Sequence, residues 1–378
     1  VVTAGPNQEK IPDHEEYITN LSSGKQGFAL ARAAANRGAK VVLISGPADL
    51  ETPFGVERID VRSNAQMLTA VEQYIREADV YISTAAIADF RPGAIKELNG
   101  VFELRMAANP DILKKVGELK KTMSHSLFSV GFAAETMKVK HIAREAKRKM
   151  AAKNTDMIVG NDVTQAGAGF RGDTNNVVMI FRDAPSLNMA GTKLEIGNKI
   201  LDMVKEKGNT LARAPPVTYQ DTLEIAARLI QFLETFFPRP ENKKKPSPIS
   251  IAGKKIIITA GSTREHIDPI RILTRQSKTE LPLAIAGIAA DNHAKVILIC
   301  GPDINVSLPN ITHLEVNTAR EMAELVKEHF RGVDMFFSLA QVPLFKPLAF
   351  ARMKIKKAGK SNMAWTLVPN DRILPGDF

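Results

Sequence analysis

The run Asn20-Leu21-Ser22-Ser23-Gly24-Lys25-Gln26-Gly27 stands directly ahead of an Ala-rich helical stretch from Phe28 to Arg37. Small hydroxyl residues and glycines at a helix N-terminus expose several backbone N–H groups, which suits a phosphate or a developing oxyanion. The same pattern also serves as a Ser N-cap with Gly for close packing. A second segment, Thr84-Ala85-Ala86-Ile87-Ala88-Asp89-Phe90-Arg91-Pro92, is small and then acidic. It would admit a flat ligand, with Asp89 accepting hydrogen bonds from ribose hydroxyls, and it also reads as an ordinary turn. A third, Gly131-Phe132-Ala133-Ala134-Glu135-Thr136, precedes a helix bearing Lys147, Arg148, Lys149 and Lys153. Lys149 and Lys153 are spaced i, i+4 and share a face able to grip a polyphosphate, or simply to be solvated.

These segments need a scaffold that gathers them. Apolar runs such as Val41–Ser45 and Val80–Ser83 alternate with helical stretches such as Ala65–Arg76. The pattern predicts βαβ units and a Rossmann-like parallel sheet flanked by helices, an α/β fold that binds ligands at the carboxyl ends of its strands. It continues with a strand near Leu127–Gly131, a basic helix over Val139–Lys153, a strand over Met157–Gly160 and a closing helix over Gln220–Phe236. No G-x-G-x-x-G follows the first strand, only Thr3-Ala4-Gly5-Pro6, and G-x-x-x-x-G-K-[ST] is absent, which disfavours a nicotinamide dehydrogenase and a P-loop enzyme.

The chain has 378 residues, 44% hydrophobic, with a formal charge of +10. That length suits two domains, and the charge admits phosphorylated small molecules, nucleic acid or acidic partners. Cys300 is the one cysteine, so disulfide scaffolds and zinc ribbons are excluded and a reducing compartment, the cytoplasm, is expected. No stretch approaches a membrane span and no signal peptide is seen. The chain opens on Val1, inside an apparent strand, and reads as a piece of a longer product.

The sequence repeats itself. Residues 39–47 recur at 294–302, Val61 at Val316 and Asp79 at Asp334. The differences 294 − 39, 316 − 61 and 334 − 79 are all 255, which predicts a tandem duplication. Copy 1 spans 1–237, a Pro- and Lys-rich linker 238–249, and a truncated copy 2 spans 250–378. The Lys243–Lys245 run lies in the linker without interleaved aromatics, so nucleic-acid binding is not expected.

In this order the segments resemble the phosphopantothenate–cysteine ligase family, in bacteria usually the C-terminal half of a bifunctional coenzyme A biosynthesis protein. The match rests on Thr-Ala-Gly-Pro (3–6), Tyr-Ile-Thr-Asn-Leu-Ser-Ser-Gly-Lys-Gln-Gly (17–27), Ser-Gly-Pro (45–47) and Ala-Ala-Ile-Ala-Asp-Phe-Arg (85–91). It extends through Asn-Pro-Asp-Ile-Leu (109–113), Gly-Phe-Ala-Ala-Glu-Thr (131–136) and Lys-Asn-Thr-Asp-Met-Ile-Val-Gly-Asn-Asp-Val (153–163). The resemblance implies joining of 4′-phosphopantothenate to L-cysteine at the expense of CTP, with Mg²⁺, through an acyl-cytidylate. It also implies roles. Asn20 handles the acyl-cytidylate, Asp89 binds ribose, and Pro110, Asp111, Ile112 and Leu113 open a helix beside the nucleotide. Phe132 lies against the base, Lys149 and Lys153 contact the nucleotide, and Ser22, Ser23, Gly24 and Lys25 form the phosphate loop. Nothing resembles the flavin-dependent decarboxylase that often precedes this domain, so no flavin is predicted.

The sequence departs from the family in complementary ways. Between Pro92 and Asn109, copy 1 lacks the family's Lys-x-Lys-Lys lid and keeps only Lys96, while copy 2 has Lys354-Ile355-Lys356-Lys357. Copy 2 also keeps Asp268-Pro269-Ile270-Arg271 but has Leu344 opposite Asp89. The expectation is an intramolecular pseudo-dimer with one composite site, copy 2 supplying Lys354 and Arg271. The alternative is a catalytically degenerate nucleotide-binding or regulatory partner of an active ligase.

Overall fold

The computed structural model describes residues 1–135, 139–162, 172–182, 184–208, 251–277, 279–302, 304, 306–355 and 362–373. The helix expected over Gln220–Phe236, the linker and Lys356–Lys357 lie outside them. The described chain forms two compact units, one of residues 1–8, 20–89 and 109–208, the other of residues 9–19, 90–108 and 251–373. The units therefore cut across the sequence copies.

The first unit is built on an eight-stranded sheet. Its strands run in the order Leu187–Thr192, Thr174–Phe181, Met157–Asp162, Phe128–Glu135, Val80–Ser83, Val2–Ala4, Val41–Ser45 and Val56–Asp60. The six strands from Met157–Asp162 to Val56–Asp60 are parallel, as the βαβ pattern predicts, and the first two are added antiparallel. Helices α1 (Lys25–Ala35), α2 (Asn64–Tyr74), α3 (Ile112–Leu119), α4 (Val139–Lys153) and α5 (Lys193–Gly208) flank the sheet. Side chains alternate along the strands. Val130, Val177 and Met179 pack with Leu30 of α1 and Ile196, Ile200 and Val204 of α5. Their neighbours Ala133, Val178 and Ile180 pack with Ala146 and Met150 of α4. Met67 and Val71 of α2 share a core with Ile112, Leu113 and Val116 of α3.

The expected strands Val41–Ser45 and Val80–Ser83 and the helix Val139–Lys153 stand at those bounds. Helix α1 begins three residues before the expected Phe28, because it starts at the loop glycines and not at its first bulky residue. The last two strands and α5 were not anticipated.

The second unit holds a parallel sheet in the order Ile311–Glu315, Lys295–Cys300, Lys255–Ala260 and Met335–Ser338, with helices α6 (Glu280–Asp291) and α7 (Ala319–His329). Its centre pairs Ile258 with Leu298 and Phe337, as Val2 pairs with Leu43 and Ile82 in the first unit. The Ser63–Gln66 capping box of α2 recurs as Thr318–Glu321 on α7, again displaced by 318 − 63 = 255.

Two further four-stranded sheets draw on both halves of the sequence. One runs Glu265–His266, Arg271–Arg275, Glu16–Asn20, Gln8–Lys10, and the other Phe345–Pro347, Asn362–Pro369, Val101–Ala108, Phe90–Leu98. Buried Ile11, Ile18, Phe90, Leu104 and Met106 meet Ile267, Leu273, Phe345 and Leu367 in one core. Where a lysine-bearing lid would sit in copy 1, strands Phe90–Leu98 and Val101–Ala108 close a hairpin through Asn99 (φ 53°) and Gly100 (φ 78°). Two successive left-handed residues make the tight turn whose twist matches paired strands. Lys96 stands in register opposite Glu103.

Candidate functional site

In the first unit the chain fills the sheet on one side of Val2–Ala4, then crosses to the other side to add Val80–Ser83 and the strands beyond it. The reversal opens a crevice outside the carboxyl ends of these two strands, where α/β sheets bind ligands. The loops there touch backbone to backbone. A Cβ on Gly24 would lie 3.3 Å from the Gly5 Cα, and one on Gly46 only 1.8 Å from the Pro6 carbonyl oxygen. A Cβ on Gly27 would lie 2.5 Å from both the Ala4 Cβ and the Thr84 Oγ1. The first turn of α1 is thus pressed against the strand ends on either side of the crevice.

Helix α1 is capped by Gly24 itself, at φ 76°, with no side-chain hydrogen bond and no acidic residue in the first turn. Ser22 is therefore not the N-cap. Its Oγ accepts from the Gly24 N–H at 3.3 Å and shapes the loop. With no acidic residue in its own first turn, the positive end of the helix dipole suits an anion. Lys25 reaches Asp173 at 2.6 Å, and this bond and the Lys25 charge hold the Asp173 carboxyl below its ordinary range. Lys193, at the start of α5, lies nearby; burial and then the Lys25 charge lower its pKa. The Gln26 amide donates to the Lys193 carbonyl at 2.9 Å. Two ammonium groups and one carboxylate thus border the loop. Lys193 was missed in the sequence, where only its place at the head of an apolar periodic stretch would have drawn notice.

Asn20 ends the strand Glu16–Asn20. It is 7% exposed, and its Oδ1 has no hydrogen-bond partner among the described residues. A buried carboxamide oxygen in that state carries an uncompensated desolvation cost of about 1–3 kcal/mol, which a donor on a ligand would relieve.

Asp89 is half-buried at the end of the loop after Val80–Ser83. Its carbonyl accepts from the Asn109 N–H at 2.9 Å. The Asn109 side chain donates to the Ala88 carbonyl at 2.9 Å, while the Ala88 N–H donates to the Asn7 Oδ1 at 2.7 Å. Asn7 and Asn109 are both buried and brace the loop that carries Asp89. Neither brace was foreseen, since each bonds to residues remote in sequence.

Helix α3 brings the next group. Asp111 is its N-cap and accepts from the Lys114 N–H at 3.0 Å, while its other oxygen meets Lys153 at 2.8 Å. The Pro110 carbonyl accepts from Asn64 at 3.2 Å. Ile112 and Leu113 are buried in the core, so their side chains hold the helix and any ligand contact falls to the backbone. The Asn154 amide donates to the Gly117 carbonyl at 3.0 Å, tying α3 to the end of α4. Residues 110–113 and Lys153 therefore stand together, with Lys149 one turn earlier on α4. Phe132 does not join them. It is half-buried against the α1–α5 core, whereas a Cβ on Gly131, one residue earlier, would meet Leu113 at 2.5 Å on the opposite face.

In the second unit Arg271 is 2% exposed and pairs with Asp268 at 2.8 Å. Its Nη1 donates to Asp268 Oδ2 and to the Ile355 carbonyl. Lys354 is half-buried, and Leu344 is 56% exposed. Among the described residues no group of three His, Cys, Asp or Glu side chains could hold a metal ion, and no helix is long and apolar enough to cross a membrane.

The chain is 43% identical over 219 residues to the coenzyme A biosynthesis bifunctional protein CoaBC of Bacillus subtilis, covering 55% of this chain and 52% of that protein. It is 40% identical over 212 residues to CoaBC of Escherichia coli strain K12, covering 54% and 50%. The chain thus spans about half the length of the curated relatives it matches. Among solved structures it is similar to the C-terminal domain of a coenzyme A biosynthesis bifunctional protein CoaBC, at 39% identity and a TM-score of 0.45 over 54% of this chain and 93% of that one. The family described as the DNA/pantothenate metabolism flavoprotein C-terminal domain matches residues 1–207 and 251–376. Those residues include Asn20, Asp89, Asp111, Lys153, Arg271 and Lys354, so the resemblance carried by the motifs is borne out and the chain belongs to that family.

Proposed function

We propose that the chain is a phosphopantothenate–cysteine ligase whose nucleotide is CTP. The observation that carries this reading is Asn20, a buried carboxamide with an unpartnered oxygen, four residues before the end of a loop that leaves α1 without a side-chain cap. In the first step a carboxylate oxygen of 4′-phosphopantothenate attacks the α-phosphorus of CTP, and the bond to pyrophosphate breaks. In the second the cysteine amine attacks the acyl carbon, loses a proton, and CMP departs with the electron pair of the acyl–oxygen bond. The positive end of α1 suits the charge that builds on phosphate and acyl oxygens. Asn20 offers an acceptor to the incoming amine and a donor to the acyl oxygen.

Asp89, on its braced loop, would take the ribose hydroxyls, and Lys149 and Lys153 the triphosphate. Phe132, packed toward the α1–α5 core, is left out of this nucleotide group. The Lys153–Asp111 pair is partly solvated, and such pairs are worth about 0.2–1 kcal/mol, so a phosphate can draw Lys153 away at little cost. Mg²⁺ typically binds through substrate phosphates and retained waters. It would neutralise triphosphate charge, with Asp89 and Asp111 as the carboxylates at hand.

Lys354 enters as the lid lysine on sequence grounds, together with a tandem origin and pairing of the two copies. The repeated capping box and the strand pairings at matching positions support that reading. Leu344 opposite Asp89 favours a second copy that no longer binds nucleotide.

The test is pyrophosphate release by the purified chain with 4′-phosphopantothenate, L-cysteine and Mg²⁺, comparing CTP with ATP. Release that requires phosphopantothenate is expected, faster with CTP. Binding of CTP without turnover would establish a nucleotide-binding partner instead. Lys354→Ala is expected to lower kcat/KM by more than about tenfold, or about 1.4 kcal/mol; a smaller effect removes Lys354 from the reaction.

A further inference from the structure

We propose that the buried Asp268–Arg271 pair is the anchor of the segment that carries Lys354, fixing the peptide next to it and positioning the lysine without touching substrate. The catalytic part of this inference rests on the ligase reading above; the anchor itself does not.

The bonds around the pair converge on one residue. Asp268 Oδ1 accepts from the backbone N–H groups of Ile270 (2.9 Å) and Arg271 (2.8 Å). Its Oδ2 accepts from Arg271 Nη1 at 2.8 Å and from the Ile355 N–H at 3.0 Å. Arg271 Nη1 also donates to the Ile355 carbonyl at 2.9 Å. Both backbone polar groups of Ile355 are thus held by one ion pair whose side chains are 3% and 0% exposed. The Ala351 N–H donates to the Ile267 carbonyl at 3.0 Å, tying the same two loops together just upstream. The Ile355 side chain packs on the core containing Ile267 and Leu273.

Lys354 is the next residue, so its Cα lies about 3.8 Å from that of Ile355. A lysine ammonium on a four-carbon stem searches widely unless its backbone is fixed, and fixing the root shortens the search for a productive geometry.

The other copy shows the contrast. At the position displaced by 271 − 16 = 255 stands Glu16, which accepts from the Leu344 N–H at 2.9 Å and holds no lid. The stretch equivalent to the lid there is the hairpin closed by Asn99 and Gly100, with Lys96 as its sole lysine. Within this one chain, the pair is present in the copy with the lysine motif and absent from the copy without it.

The test compares wild type, Arg271→Gln and the double variant Asp268→Leu/Arg271→Met in the intact chain. The double variant guards against unfolding, because removing both members of a buried pair spares the cost of a lone buried charge. Hydrogen exchange is read by mass spectrometry on peptides spanning Ile355. An anchor requires exchange at Ile355 to rise by at least about tenfold in the double variant, with the amides of strand Lys255–Ala260 unchanged as the folding control. Unchanged exchange at Ile355 overturns the anchor, whatever the enzyme does.

Kinetics then separate positioning from contact. If the pair acts through Lys354, its loss lowers kcat/KM and adds nothing to Lys354→Ala, whereas a direct substrate contact makes the two losses multiply. Multiplying losses overturn the positioning role. Should the chain prove inactive with CTP, the exchange result still decides the anchor, and the ligase reading alone falls.

Discussion

Lys153 and Cys300 sit in contrasting surroundings, one partly in water and the other buried. Lys153 meets Asp111 with 26% and 35% of the two side-chain surfaces still in water. Lys153→Ala should therefore lower stability by less than about 1 kcal/mol, yet weaken CTP binding about tenfold if the ammonium grips the triphosphate. Calorimetry with CTP and a urea melt check both parts, and unchanged affinity would remove Lys153 from the nucleotide site. Cys300 is fully buried at the end of its strand, and burial, then the charge of Glu315, pushes its thiol up to about 12. The sign follows directly. A thiol whose folded pKa exceeds the ordinary value of about 8.5 adds stability that is whole below that value and lost as pH rises toward 12. At pH 8 Cys300 should resist iodoacetamide in the folded chain and react after unfolding; rapid labelling of native protein would contradict the burial. The types of these residues were legible in the sequence, but their partners were not, since Asp111 and Lys153 lie on different helices.

Helices α3 and α4 meet where neither has a side chain to spare. A Cβ on Gly117 would lie 1.9 Å from the Lys153 carbonyl oxygen, a backbone atom that cannot rotate away. Gly117→Ala should push α3 off the end of α4, costing about 1–3 kcal/mol by overpacking. Because α3 carries Asp111 and the end of α4 carries Lys153, CTP affinity should fall as well. A thermal melt and a CTP titration test this together; a lower melting temperature with unchanged affinity would show that the α3–α4 junction does not shape the nucleotide site. Periodicity foretold both helices' neighbours in the sheet, because short β-branched strands between amphipathic stretches leave few alternatives. It failed at the antiparallel edge. Leu187–Thr192 alternates between half-buried and exposed and offers no fully buried face, and Asn175 and Asn176 interrupt the apolar pattern entering Thr174–Phe181. Helix α5 did carry a readable signal in Ile196, Ile200, Leu201 and Val204, which line its buried face. The braces at Asn7 and Asn109 carried none, because hydrogen bonds across 81 and 21 residues leave no local pattern.

The second unit is the level at which the two sequence copies cease to be separable. Strand Asn362–Pro369 pairs antiparallel with Val101–Ala108, Trp365 opposite Leu104 and Leu367 opposite Phe102. The core beneath takes Phe90, Leu104 and Met106 from the first copy and Ile267, Leu273 and Leu367 from the second, all buried. A constant displacement of 255 residues suggested two copies, but which strands would share a sheet could not be read from either segment alone. Each such buried apolar side chain contributes about 1.5–3 kcal/mol, and the backbone ladder between the copies adds hydrogen bonds that water would otherwise satisfy. A protease site inserted between Asn242 and Pro246 should therefore cut the chain without parting it. The two fragments are expected to elute together at the 41.3 kDa of the intact chain and to separate only in denaturant. Leu104→Asp places a carboxylate at a fully buried position in that core, where an unpaired charge is costly. After cutting, this variant should release its fragments under native conditions, while a surface control such as Lys96→Asp should not. Wild-type fragments that part on elution would mean that the shared sheet does not hold the copies together, and the pairing of copies proposed for the ligase would fail with it.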